Sequence, residues 1–157
     1  MIKLHLAKQN FKFSAAHFLI FDSRRAERLH GHNYTVKVEL SGEVNPETGF
    51  LVDFSALKKI IKRETDRLDE LVLLPKLNKE FTFTKKGSSL EVKFRDRFYV
   101  FPKNEVLLLP VFNTSVELLA EYFFNQIKSD LKSGKILKAE VSITETAGQS
   151  AIYIAKL

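Results

Sequence analysis

Four stretches of this chain alternate between apolar and polar positions, and two more repeat apolar residues at helical spacing. Residues 2–14 alternate loosely and predict a strand. Residues 33–44 alternate cleanly, with Tyr34, Val36, Val38 and Leu40 on one side and Thr35, Lys37, Glu39 and Ser41 on the other, and predict a second. After the turn residues Asn45-Pro46-Glu47-Thr48-Gly49, Asp53 or Ser55 caps a helix. Its apolar positions are Leu57, Ile60, Ile61 and Leu68, with Lys58, Lys59, Lys62 and Arg63 turned outward. A second helix begins near Ser115, carries the stripe Leu118, Leu119, Tyr122, Phe123 and Ile127, and ends at Lys132-Ser133-Gly134-Lys135. Strands follow over Leu137–Thr144 and Ser150–Lys156, around the turn Ala147-Gly148-Gln149.

Between the helices the pattern changes. From about 75 to 110 the chain holds short aromatic and β-branched runs, punctuated by Lys86-Gly87-Ser88-Ser89 and Pro102-Lys103-Asn104. This reads as an inserted β-hairpin or small meander. The expected architecture is therefore α+β: a four-stranded antiparallel sheet with two helices on one face, plus the insert, in one domain over 1–157.

Composition narrows the function classes. At 157 residues the chain can bury about two-thirds of its unfolded surface. No apolar run approaches the roughly 18 residues that span a membrane. There is no cysteine, hence no disulfide and no thiolate chemistry. The start, Met1-Ile2-Lys3-Leu4-His5-Leu6, is too polar for a signal peptide, so a cytoplasmic protein without a membrane partner is expected. The net charge of +6 is spread along the chain, without a basic run interleaved with aromatics. That argues against a nucleic-acid partner and fits an anionic small molecule at least as well.

Three of the four histidines fall in one short segment, as Phe13-Ser14-Ala15-Ala16-His17 and Leu29-His30-Gly31-His32-Asn33-Tyr34. Alternate residues of a strand share a face, so His30 and His32 can converge on one ion. If the run before His17 is the neighbouring antiparallel strand, a third nitrogen arrives beside them. Three imidazoles with an open fourth position form a ligand set for catalytic zinc, so Zn2+ is the expected cofactor.

These pieces, with Gly49-Phe50-Leu51-Val52-Asp53-Phe54, Leu68-Asp69, Asn113-Thr114-Ser115-Val116-Glu117 and Ile143-Thr144-Glu145-Thr146 in order, resemble the 6-pyruvoyl-tetrahydropterin synthase / 6-carboxytetrahydropterin synthase family. The resemblance implies the tunnelling fold (T-fold) and a zinc held by His17, His30 and His32. It implies a lyase acting on the side chain of a 7,8-dihydropterin, in pterin or folate-type or deazapurine biosynthesis. It places Glu145 against the pterin ring as its anchor, with Thr146 and Ser115 in the same substrate pocket. A carboxylate suits that role, because it can accept two side-by-side N–H groups at once. The resemblance also implies a homo-hexamer built as a dimer of trimers, with sites between subunits.

Two departures bear on the reaction. The family's synthases carry a cysteine a few residues before His-Gly-His; here Ala26 stands four before His30, and Glu27 three before. The E-x-x-H-G-H form resembles the subgroup in which glutamate replaces that cysteine and which releases 6-hydroxymethyl-7,8-dihydropterin. Glu27 is thus the candidate base, or else a loop charge paired with Arg24, Arg25 or Arg28. The family's Leu-Asp-His reads Leu68-Asp69-Glu70 here, so Asp69 and Glu70 either assist proton transfer or are solvated residues. A non-catalytic pterin- or purine-binding protein is the alternative reading.

Overall fold

The computed structural model describes residues 1–131 and 135–157. It contains strands β1 (Ile2–His17) and β2 (His30–Gly42), helix α1 (Phe54–Leu68) and strand β3 (Leu71–Pro75). Strands β4 (Phe81–Lys86), β5 (Ser89–Phe94) and β6 (Arg97–Pro102) follow, then β7 (Val106–Leu109), helix α2 (Val116–Ile127) and strands β8 (Ile136–Thr146) and β9 (Gln149–Lys156). The α+β class holds, but the main sheet has six strands rather than four, in the order β7-β3-β1-β2-β8-β9. The four expected strands form its antiparallel part. The two additions, β3 and β7, are short apolar runs that pair in parallel. They show no alternation because no residue of either run is exposed, so their pattern cannot be told from a fragment of buried helix.

The stretch 75–110 accordingly divides. Strands β4, β5 and β6 form a separate antiparallel meander, while Val106–Leu109 belongs to the main sheet, where Leu109 is fully buried in the principal core. The meander is not a free-standing surface cluster. Its Phe81, Leu90, Val92 and Phe94 bury Phe18 and Leu74 of the main body.

Both helices cover one face of the sheet, against a stripe that includes Phe13, Tyr34, Val36, Val38, Ala139, Val141 and Ile143. Asp53 caps α1 by accepting the Ser55 N–H at 2.7 Å, and Ser115 caps α2 by accepting the Leu118 N–H at 3.4 Å. Helix α2 stops at Ile127, earlier than the spacing predicts; Lys132, Ser133 and Gly134 lie outside the described residues.

One irregularity in β1 aims the site. Between Ala7 and Lys12, β1 advances five residues while β2 goes from Lys37 to Thr35, two residues, leaving three extra in β1. An odd insertion swaps the two faces of a strand. Leu6 faces the core before it, and Phe11, Phe13, Ala15 and His17 face the core after it. Without that shift the faces of β1 would not line up at both ends, and His17 would point away from His30 and His32. The loose alternation of residues 2–14 is the trace of this bulge.

The helix-free face carries charges. Lys3 contacts Glu39 and Glu140 at 2.8 and 2.9 Å, Lys138 contacts Glu140 at 3.0 Å, and His5 contacts Glu39 at 2.8 Å. Among the described residues, the outer edge of β9 and the edge of β1 over Ile2–Ser14 have no strand partner.

Candidate metal centre and active site

The site sits at the end of the sheet where β1 finishes, β2 starts and α2 is capped. His17 and His30 are direct cross-strand partners, and His32 follows on the same face as His30. Gly31 lies between them because the strands pass closely: a Cβ there would stand 3.3 Å from the Ala15 carbonyl oxygen. One nitrogen from each of the three imidazoles lies within 4.8 Å of the other two. His17 closes the inner end and is fully buried, while His30 leaves 37% of its side chain in solvent, so the cluster opens on that side.

The hydrogen bonds behind the rings set which nitrogen is available. His17 Nδ1 donates to the Thr114 carbonyl at 3.0 Å and His30 Nδ1 to the Arg28 carbonyl at 2.8 Å. Both Nε2 atoms then turn inward as lone pairs, a back-side arrangement that fixes ligand tautomers in metal sites. Burial, the largest influence, lowers the pKa of His17 and favours its neutral form.

The interior of the cluster is short of protons. His17 Nε2 faces the Tyr34 hydroxyl at 3.1 Å and Glu145 Oε1 at 3.3 Å. Tyr34 has one proton, and it donates that proton to Glu145 Oε1 at 3.2 Å. Burial first, and then the charge of Glu145, holds the Tyr34 pKa above the ordinary phenol range, so that proton stays. His30 Nε2 and His32 Nε2 lie 2.9 Å apart, and His32 Nε2 is 3.6 Å from Glu145 Oε1. Converging acceptors without enough donors are what a cation satisfies, and three imidazole nitrogens suit zinc.

Glu145 arrives by register. Thr35 pairs with Thr144 in the β2–β8 ladder, so Glu145 falls beside Tyr34 on the helix-covered face. It is not a solvated strand residue. Its Oε2 makes no hydrogen bond among the described residues. Thr146 is exposed beyond it and bonds Gln149.

Glu27 also reaches the cluster. Its Oε2 accepts the Leu19 N–H at 2.9 Å and stands 3.8 Å from His30 Nε2. It pairs with none of Arg24, Arg25 or Arg28; Arg25 instead binds Asp22. Among the described residues, Asp69 and Glu70 make no hydrogen bond or ion pair with the three histidines, Glu27 or Glu145. Asp69 Oδ1 accepts the Ser14 N–H at 2.6 Å, and the Glu70 N–H donates to the Ser14 carbonyl at 2.7 Å. Glu70, in the left-handed region at φ 59°, lines with Ser14, Gly31 and Asn33 a shallow cavity of about 350 Å³ on the helix-free face. Ser115 serves as the α2 cap. Sequence reasoning had no role for Thr114 or for the Tyr34 hydroxyl, whose partners lie 97 and 111 residues away.

A profile of the 6-pyruvoyl tetrahydropterin synthase family matches residues 6–156. The chain belongs to that family. A relative from Methanocaldococcus jannaschii, described as a putative 6-carboxy-5,6,7,8-tetrahydropterin synthase, is 36% identical over 98% of this chain and 95% of its own. The solved 6-pyruvoyl tetrahydropterin synthase of Plasmodium falciparum superposes with a TM-score of 0.92 at 31% identity, covering 99% of this chain and 98% of the other. A Plasmodium vivax structure matches with the same score and coverage at 28% identity. It is described as a catalytic-residue mutant in which a glutamate is replaced by alanine. The chain is therefore a member of a lyase family of pterin biosynthesis.

Proposed function

We propose that this protein is a zinc-dependent lyase acting on the side chain of a 7,8-dihydropterin, dihydroneopterin or its triphosphate. The observation that carries the reading is the meeting of three inward-facing imidazole nitrogens with two carboxylates, Glu145 and Glu27, in one opening. His17, His30 and His32 hold the metal. When bound, zinc supplies Lewis acidity that polarises an oxygen of the substrate side chain.

The chain's own residues do the rest. Glu145 accepts the paired N–H groups of the pterin edge; the Tyr34 hydroxyl occupies one lone pair of Oε1 and leaves both carboxylate oxygens able to accept. Glu27 takes the proton. Its Oε2 is held by the Leu19 N–H, which leaves Oε1 to receive a proton from the side-chain hydroxyl or the adjacent carbon. The P. vivax relative, described as having a catalytic glutamate, supports a glutamate in a catalytic role in this family. Thr146, next to Glu145 in the chain, and Ser115, next to the His17 partner Thr114, are the further candidates for contact with the pterin.

Asp69 and Glu70 enter from a neighbouring chain in a hexamer made of two stacked trimers. The unpaired edges of β9 and β1 support such closure, since exposed edges invite pairing. Among the described residues the Glu70 carboxylate makes no hydrogen bond or ion pair, whereas Asp69 accepts the Ser14 N–H. A monomer by light scattering at micromolar concentration would refute this part.

Incubation of zinc-loaded protein with dihydroneopterin and with its triphosphate, followed by mass analysis, tests the reaction. Consumption of either one, lost in Glu27→Gln while pterin binding persists, is the expected result. A tight pterin complex with no turnover of either compound would leave only a binding protein.

A further inference from the structure

We infer that Arg97, on the inserted meander, is a positioning residue that sets the place of the Glu27 carboxylate against the histidines. The inference rests on the reading of Glu27 as the base. Glu27 lies in a short hairpin-like loop, closed by the Ile20–Ala26 bridge and by the Glu27 N–H donating to the Leu19 carbonyl at 2.9 Å. The side chain of Glu27 turns back to the Leu19 N–H. These ties make the loop coherent, but they are internal to it and do not fix it against the site.

Asn113 anchors one end of the loop to the main body, its Oδ1 accepting the Ile20 N–H at 3.2 Å and its Nδ2 donating to the Ile20 carbonyl at 2.9 Å; the meander anchors the other end, at Glu27. The Arg97 guanidinium donates from Nη1 to the Glu27 carbonyl and from Nη2 to the Ala26 carbonyl, the latter at 3.1 Å. It lies 5.6 Å from the ring centre of Phe18 and 5.8 Å from that of Phe94. Phe18 follows the ligand His17 directly, so one guanidinium touches the backbone of the base and the neighbour of a ligand. Arg95 makes a second tie, from Nη2 to the Asp22 carbonyl at 2.6 Å, while paired with Glu80. A planar fork bridging two successive carbonyls beside two aromatic rings is a task lysine cannot reproduce. The meander thus acts as a base plate for the loop rather than as a lid.

Arg97→Met keeps an apolar stem beside Phe18 and Phe94 and removes both donors. Displacing a base by about 1 Å costs on the order of 100-fold. In Arg97→Met, kcat with the consumed dihydropterin should fall roughly 10- to 100-fold, with KM and zinc content within about twofold of wild type; Arg97→Lys should recover part of the loss. In a Glu27→Gln background, where turnover is lost, the same change should leave dihydropterin affinity and zinc content unchanged, because Arg97 acts through Glu27. Hydrogen exchange provides a readout independent of turnover. Amides of peptide 18–28 should exchange faster in Arg97→Met, while those of residues 33–42 stay as in wild type. Unchanged exchange in 18–28 overturns the proposal, as does unchanged kcat. Full turnover in Glu27→Gln alone would instead overturn the assignment of the base.

Discussion

Tyr34 is fully buried behind the site, and removal of its hydroxyl gives a quantitative test. Tyr34→Phe leaves the ring stacked on Phe13, with centroids 4.7 Å apart and planes 16° from parallel. It deletes the proton donated to Glu145 Oε1. A hydrogen bond to a charged group contributes about 1.5–3 kcal/mol. At 3.2 Å this one is long for an O–H donor, which places it at the low end, about 1.5 kcal/mol, or a little over a factor of ten. Glu145 without its donor samples more orientations, so the dissociation constant for dihydroneopterin should rise roughly tenfold by fluorescence titration. Zinc content should not change, since Tyr34 is not a ligand and the Nδ1 bonds of His17 and His30 remain. Pterin affinity within twofold of wild type would refute the argument that Tyr34 orients the anchor. Loss of zinc would refute the division of labour between anchor and ligands.

Other outcomes follow from the same geometry. A His30→Ala/His32→Ala double variant should lose bound zinc by elemental analysis while keeping its far-ultraviolet spectrum. Replacing 81–102 with a short Gly-Ser turn should preserve the main sheet, because β7 remains. It should cost about 3–6 kcal/mol in denaturant unfolding for exposing Phe18 and Leu74. On the helix-free face, hydrogen bonds from Lys3 and then Lys138 depress the pKa of Glu140. A depressed carboxylate stabilises above its unfolded pKa and loses that contribution as pH falls through the folded one. The thermal midpoint should therefore drop on acidification below about pH 4.5, and less steeply in Glu140→Gln.

What the sequence discloses here tracks how local the signal is. The pair His30 and His32 and the stripe Tyr34, Val36, Val38 and Leu40 are legible because a strand writes its faces as a period of two. His17 is legible only given the bulge between Ala7 and Lys12, which an alternation pattern records as looseness rather than as a rotation of faces. Strands β3 and β7 are opaque because short apolar runs carry no period. Thr114, Tyr34 and Arg97 acquire their roles from partners about 70 to 110 residues away in the chain. Family likeness locates Glu145, but only the β2–β8 register places it against Tyr34 and the histidines. Asp69 shows the reverse case: a motif position whose carboxylate the fold spends on the Ser14 N–H.

The central claim is that one opening holds both a metal on three imidazoles and a pterin on Glu145. Zinc-edge anomalous scattering from crystals of the zinc-loaded Glu27→Gln variant soaked with dihydroneopterin tests it most directly. The account predicts one zinc peak per chain, about 2.0–2.1 Å from the Nε2 atoms of His17, His30 and His32, with the pterin edge on Glu145. A zinc peak elsewhere, no peak, or a pterin bound away from Glu145 would contradict it.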